Sequence, residues 1–211
     1  MDIYKKFEEL RLIPVVVIED IDNAIPLAKT LLDVNLPIIE ITFRTDVAAR
    51  CISLIKKNFP EMVIGAGTVL KIEQVKAAMN AGSMFIVTPG FNPSIINYCV
   101  ENRFPIIPGL NIPTFIEWGL EKGLTHFKFY PADLSGGTKM LNLLSGPYPK
   151  AKFMPTGGIN NESLLKYLKL KNVFACGGSW IVKKELISTK NFDEIKRRVN
   201  KALLLIKSNL S

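Results

Sequence analysis

Histidine is almost absent from this chain: its 211 residues include one, His126, alongside three cysteines and two tryptophans. A carbon-carbon lyase that uses a divalent ion as its electron sink typically recruits several imidazoles or a tight carboxylate cluster. Neither pattern is visible, so metal-assisted chemistry is disfavoured and neither metal nor cofactor is expected. His126 itself reads as a satisfied strand residue rather than a ligand. Cys51, Cys99 and Cys176 are odd in number and far apart, with no Cys-x-x-Cys pair. That argues against a disulfide framework or a zinc cluster and for a reduced, cytoplasmic protein. No segment stays apolar for long enough to span a bilayer, and the charged start Met1-Asp2-Ile3-Tyr4-Lys5-Lys6 does not read as a secretory signal. No linker or low-complexity tract divides the chain, so a single domain over 1–211 is expected. No Gly-x-Gly-x-x-Gly loop opens the first helix to hold a dinucleotide.

The net charge of +8 raises a nucleic-acid partner as a hypothesis, but +5 of it lies between Lys183 and Ser211. There Phe192, Ile195, Val199, Leu203 and Ile206 form an apolar stripe, with Lys196, Arg197, Arg198 and Lys201 mostly off it, the pattern of a solvated helix face. A basic patch interleaved with exposed aromatics would be the nucleic-acid signature. No nucleic-acid or membrane partner is therefore expected.

Short β-branched or aromatic runs recur near 13–18, 38–42, 62–66, 84–88, 106–108, 125–129, 152–155 and 173–176. Helical patterns follow each, near 22–33, 46–58, 71–80, 93–102, 113–122, 137–144, 161–169 and 192–208, after a short leading helix at 3–10. Asp20, Thr45 and Asn160 stand as N-caps. Eight strand-helix units in this length predict an α/β fold, a closed (β/α)8 TIM barrel, with an open doubly wound sheet as the rival.

Barrel enzymes work at the carboxyl ends of their strands. Glu40, Thr42 and Arg44 close strand two, Gly65-Ala66-Gly67-Thr68 strand three, Thr88-Pro89-Gly90 strand four and Pro108-Gly109 strand five. Thr156-Gly157-Gly158 and Gly177-Gly178-Ser179 end strands seven and eight. Loops attract glycine and proline in any protein, but two charges inside apolar strands go beyond that. Lys128 lies in Thr125-His126-Phe127-Lys128-Phe129-Tyr130-Pro131, where period-two parity puts Phe127 and Phe129 on one face and His126, Lys128 and Tyr130 on the other. Withholding an amine from water favours its uncharged form, the form that attacks a carbonyl to make a Schiff base; the bland alternative is a lysine snorkelling to solvent. Glu40 shares its face with Thr42 and Arg44, so a carboxylate and a guanidinium converge on the barrel mouth; the bland alternative is a structural ion pair near a strand end. The paired glycines after strands seven and eight, with Ser179, suit a phosphate held by backbone N–H groups.

These residues are similar to the 2-keto-3-deoxy-6-phosphogluconate (KDPG) aldolase family, which includes enzymes acting on 4-hydroxy-2-oxoglutarate. The resemblance runs from Pro14 to about Lys183 through Ile39-Glu40-Ile41-Thr42-Phe43-Arg44-Thr45, Gly65-Ala66-Gly67-Thr68-Val69, Ile107-Pro108-Gly109, Phe127-Lys128-Phe129-Tyr130-Pro131-Ala132, Pro155-Thr156-Gly157-Gly158-Ile159 and Gly177-Gly178-Ser179-Trp180. It implies a class I aldolase that splits a phosphorylated 2-keto acid into pyruvate and glyceraldehyde 3-phosphate. Lys128 would form the Schiff base and Glu40 act as acid/base. Arg44 and Thr68 would hold the pyruvate carboxylate, Pro89 and Phe129 wall the site, and Gly157, Gly158 and Ser179, with Thr156 nearby, take the phosphate. It also implies a homotrimer. Two departures are Val17-Ile18-Glu19, where some relatives carry an arginine, and Thr88-Pro89-Gly90 in place of Ser-Pro-Gly. A galactonate-series aldolase, a non-imine isomerase or synthase acting on a phosphorylated metabolite, and a noncatalytic anion- or nucleic-acid-binding module are the competing readings.

Overall fold

The computed structural model describes residues 2–210. Helix α1 (Ile3–Leu10) is capped by Asp2, whose carboxylate accepts from the Tyr4 and Lys5 N–H groups, and ends at Arg11 in the left-handed region. Parallel strands and helices then alternate. The first half contains β1 (Leu12–Val16), α2 (Ala24–Asp33), β2 (Ile38–Thr42), α3 (Ala48–Asn58), β3 (Val63–Gly67), α4 (Ile72–Asn80), β4 (Phe85–Val87) and α5 (Pro93–Glu101). The second contains β5 (Ile106–Ile107), β6 (Gly109–Leu110), α6 (Pro113–Glu121), β7 (His126–Phe129), α7 (Gly137–Leu144), β8 (Lys152–Pro155), α8 (Asn161–Leu168), β9 (Cys176–Gly178), α9 (Lys184–Ser188) and α10 (Phe192–Leu210).

The strands form a six-stranded sheet, β5-β4-β3-β2-β1-β9, and a three-stranded sheet, β6-β7-β8. The fold is thus α/β, with a parallel half-barrel sheet. Pro108 is what divides the expected fifth strand, because it has no N–H for the ladder; its carbonyl accepts from the Lys128 N–H at 2.9 Å instead. At the other edge, isolated parallel bridges join Phe153 to Val173 and Thr156 to Gly177. Every residue of β2 and β3 is buried, as in parallel sheets covered on both faces. Phe7 of α1 is fully buried with its ring 4.9 Å from that of Phe85, so the leading helix seals one end of the core. On the helix side, a Cβ at Gly119 of α6 would lie 2.4 Å from the Phe127 ring; glycine there lets helix and strand approach closely.

Three expectations need correction. The last strand lies at Cys176–Gly178 rather than 173–176, so Gly177 and Gly178 are strand residues, paired in register with Ile13 and Pro14. Glycine is required in that strand: a Cβ at Gly177 would sit 2.3 Å from Thr156 Oγ1, and one at Gly178 2.0 Å from the Trp180 ring. Thr45 is not an N-cap; its hydroxyl donates to the Ile18 carbonyl at 2.7 Å, and α3 starts at Ala48. Helix α9 was not anticipated. Asp20 caps the 3-10 turn Ile21–Asn23, and Asn160 makes a capping box with Ser163. Along α10, Ile195 and Val199 are buried while Lys196, Arg197 and Lys201 are exposed, as the stripe predicts.

Candidate active site

Strands β2 and β7 belong to different sheets, yet each carries one charged side chain inward. Glu40 is completely buried and Lys128 is 5% exposed. Lys128 Nζ lies 3.4 Å from Glu40 Oε1, joining residues 88 positions apart. Among the described residues this is the ion pair with both side chains buried; the others lie at or near the surface. Burying two charges costs several kcal/mol per ion even after relaxation, on the order of what their attraction returns, so stability alone does not explain such a pair. The Nζ also stands 5.5 Å above the Tyr130 ring, a cation-π partner on the face that parity assigns to both residues.

Neighbouring glycines make room for the carboxylate. Gly65 is the register partner of Glu40, and Gly67 lies beside its side chain; a Cβ at Gly67 would fall 2.1 Å from Glu40 Oε1. The other carboxylate oxygen, Oε2, is buried without a hydrogen-bond partner among the described residues. Leaving such an oxygen unbonded costs about 1–3 kcal/mol or more, so it is poised to accept from a hydroxyl or a water in the site. Thr42 is not available for this, because its hydroxyl donates to the Val16 carbonyl at 2.9 Å.

At the end of β3, Thr68 has φ 54, a left-handed conformation that a β-branched residue rarely adopts. The backbone on either side is pinned: the Phe43 N–H donates to the Gly67 carbonyl at 2.7 Å and the Val69 N–H to the Val87 carbonyl at 3.3 Å. Strain held in place this way is common where a side chain is aimed at a ligand. Arg44 is exposed and, among the described residues, has no ion pair or side-chain hydrogen bond. The structural pairing of Arg44 with Glu40 is therefore not formed; Glu40 pairs with Lys128. In the β4 turn, the Thr88 hydroxyl donates to the Gly90 carbonyl at 2.7 Å and accepts from the Gly109 N–H at 3.3 Å, which fixes half-buried Pro89 between them. Phe129 is directed elsewhere. Its ring lies 6.3 Å from that of Phe153 on the face opposite Lys128, so the ring is not a wall beside the amine.

The glycine-rich corner is assembled from three segments. Gly157 (φ +93) and Gly158 (φ +80) follow β8 in the left-handed region. The Ala132 and Asp133 N–H groups donate to the Thr156 and Gly157 carbonyls, and Thr156 bridges to Gly177. Ser179 is exposed, and its hydroxyl makes no hydrogen bond among the described residues. Trp180 Nε1 donates to Asn161 Oδ1 at 3.0 Å, tying the segment after β9 to the first turn of α8. Thr156, Gly157, Gly177 and Ser179 are thereby brought to one corner. Sequence reasoning missed the Trp180–Asn161 clasp and the role of Tyr130. Parity contained the signal for Tyr130; nothing local announced the clasp. Glu19, at the departure after β1, pairs with Lys184 of α9 at 2.8 Å.

A buried amine in contact with a buried carboxylate, with an exposed guanidinium two residues past the end of β2 and a glycine corner after β8, is a set of groups suited to imine chemistry on an anionic keto acid. The family model for KDPG and KHG aldolase matches residues 3–198. The chain belongs to the KDPG and KHG aldolase family. It is 47% identical over 205 residues to the 2-dehydro-3-deoxy-phosphogluconate aldolase of Haemophilus influenzae, covering 97% of each chain. Among solved structures, it is similar to the KDPG aldolase of Legionella pneumophila, in which pyruvate is captured at low pH as a covalent carbinolamine. That likeness has a TM-score of 0.92 and 37% identity, over 96% of this chain and 98% of that one. It is similar also to the Zymomonas mobilis 2-keto-3-deoxy-6-phosphogluconate aldolase with 3-phosphoglycerate, at TM-score 0.88 and 34% identity over 94% of each. The aldolase fold of this chain keeps its three free thiols buried, and burial pushes Cys51 up to about 11 and Cys99 up to about 12, so neither is a nucleophile near neutral pH.

Proposed function

We propose that this chain is a class I aldolase that cleaves 2-keto-3-deoxy-6-phosphogluconate to pyruvate and glyceraldehyde 3-phosphate through a Schiff base on Lys128, and that it also accepts 4-hydroxy-2-oxoglutarate. The observation that carries this reading is the buried Lys128–Glu40 contact at 3.4 Å with Glu40 Oε2 left unbonded. Lys128 passes a proton to Glu40, the free amine attacks the C2 carbonyl carbon, and Glu40 returns that proton to the carbinolamine hydroxyl, which leaves as water to give an iminium. When the C3–C4 bond breaks, its electron pair flows to the iminium nitrogen and forms an enamine. Glu40, already in contact with the amine, removes the C4 hydroxyl proton as that oxygen becomes the aldehyde, then returns a proton to C3. Hydrolysis frees pyruvate and regenerates Lys128.

Arg44 offers its planar fork to the pyruvate carboxylate, and Thr68 the side chain that its left-handed backbone aims. Pro89, held by Thr88, forms the wall; Phe129 contributes through its backbone, whose carbonyl accepts from Thr156 N–H, rather than through its ring. Thr156, Gly157, Gly158, Gly177, Gly178 and Ser179 form the phosphate corner.

The two sheets close into one (β/α)8 barrel domain. The continuity of β5 and β6 across Pro108 and the Thr156–Gly177 bridge support closure. The enzyme works in the cytoplasm as a homotrimer. Buried thiols suit a reducing compartment, and the apolar surface of Ile112, Trp118 and Leu134, the last 87% exposed, suits contact between copies. Steady-state cleavage tests the catalytic reading: Lys128→Ala should abolish activity and Glu40→Gln lower kcat by about 10²–10⁴-fold, and full activity in either variant overturns the corresponding role.

A further inference from the structure

The end of the strands opposite this site carries a second concentration of charge. Arg11 precedes β1, Lys152 opens β8, and Lys169 and Lys171 follow α8. The four line one concave pocket of about 400 Å3, floored by Val173 and Phe174. Lys152, Lys169 and Lys171 also border a neighbouring hollow of about 430 Å3. Arg11 Nη1 donates to the Leu168 carbonyl at 3.4 Å and Lys152 Nζ to the Lys171 carbonyl at 3.1 Å, contacts that aim these groups without neutralising them. Among the described residues none of the four forms an ion pair, and Glu8 is the single carboxylate lining the pocket. The two arginines of α10 are different: Glu194 holds both Arg197 and Arg198.

Four cations facing one acid in a concavity repel one another until an anion joins them. We propose that this pocket, at the amino ends of the strands, binds a small, multiply charged phosphorylated metabolite at a site separate from the one containing Lys128. The shape favours a small molecule over a nucleic acid. The charges converge on a hollow of ligand size rather than forming a stripe, and the aromatic ring nearest them, Phe174, is buried and cannot stack on a base.

His126 provides the test. It is the only histidine, and its register partner in β8 is Lys152, so its Cε1–H resonance reports on this pocket from inside the fold. Inorganic pyrophosphate titrated into the full-length protein should shift that resonance saturably. In the Lys169→Ala/Lys171→Ala variant the apparent affinity should fall at least about tenfold, while kcat and KM for aldol cleavage stay unchanged. Pyrophosphate held instead at the glycine corner would bind equally well to both proteins. A resonance that does not move, equal affinity in the two proteins, or tighter binding of a single-stranded oligonucleotide with the same lysine dependence would overturn the proposal.

Discussion

The two ends of the strands treat their polar groups in opposite ways. At the Lys128 end, groups lack partners among the described residues: Glu40 Oε2 is buried and unbonded, Arg44 forms no ion pair, and Thr68 is held in a strained backbone conformation. At the centre of the other end, groups are satisfied. Tyr4 stacks on His126 at 4.3 Å and donates its hydroxyl to the Ile106 carbonyl, Thr125 Oγ1 lies 3.0 Å from His126 Nδ1, and Phe7 fills the space between Phe85 and Phe174. One end is built for ligands, and the middle of the other for stability. The cationic rim around that middle is the exception, and it is there that a second ligand is proposed.

The comparison breaks if the closed end matters to the chemistry. Phe7→Ala removes a fully buried ring and should cost about 3–5 kcal/mol in urea unfolding, with kcat of the folded protein unchanged. A small stability loss accompanied by a large fall in kcat would contradict the division. A smaller effect comes from pH. Burial, with Lys152 adding to it, lowers the His126 pKa from 6.5 to about 4, so between those values the unfolded chain binds more protons than the folded one. The stabilisation is complete above the unfolded value and is lost as pH falls toward 4. Its size, discounted for partial contact with water, is about 2 kcal/mol. His126→Phe should flatten that part of the stability profile; an unchanged slope would place the acid sensitivity elsewhere.

Much of this architecture was legible because its signals are local. Period-two and helical patterns located nearly every element, and Glu40 and Lys128 stood out as charges within apolar strands. Parity alone placed Phe129 away from Lys128; the family resemblance suggested otherwise, and the packing against Phe153 follows parity. What escaped depends on non-local contacts. The shift of the last strand follows from the closeness of Thr156 and Trp180 to two glycines, the break at Pro108 from a missing donor, and the Trp180–Asn161 clasp from side chains 19 residues apart. The pairing of Glu40 with Lys128 rather than Arg44 belongs to the same class. A charge on one strand does not announce which distant strand will face it.

The account rests on Lys128 as the nucleophile, and borohydride reduction in the presence of pyruvate tests it most directly. Peptide mass spectrometry should find the reduced pyruvate adduct on Lys128. A folded protein that binds pyruvate yet leaves Lys128 unmodified, or carries the adduct on another lysine, would contradict it.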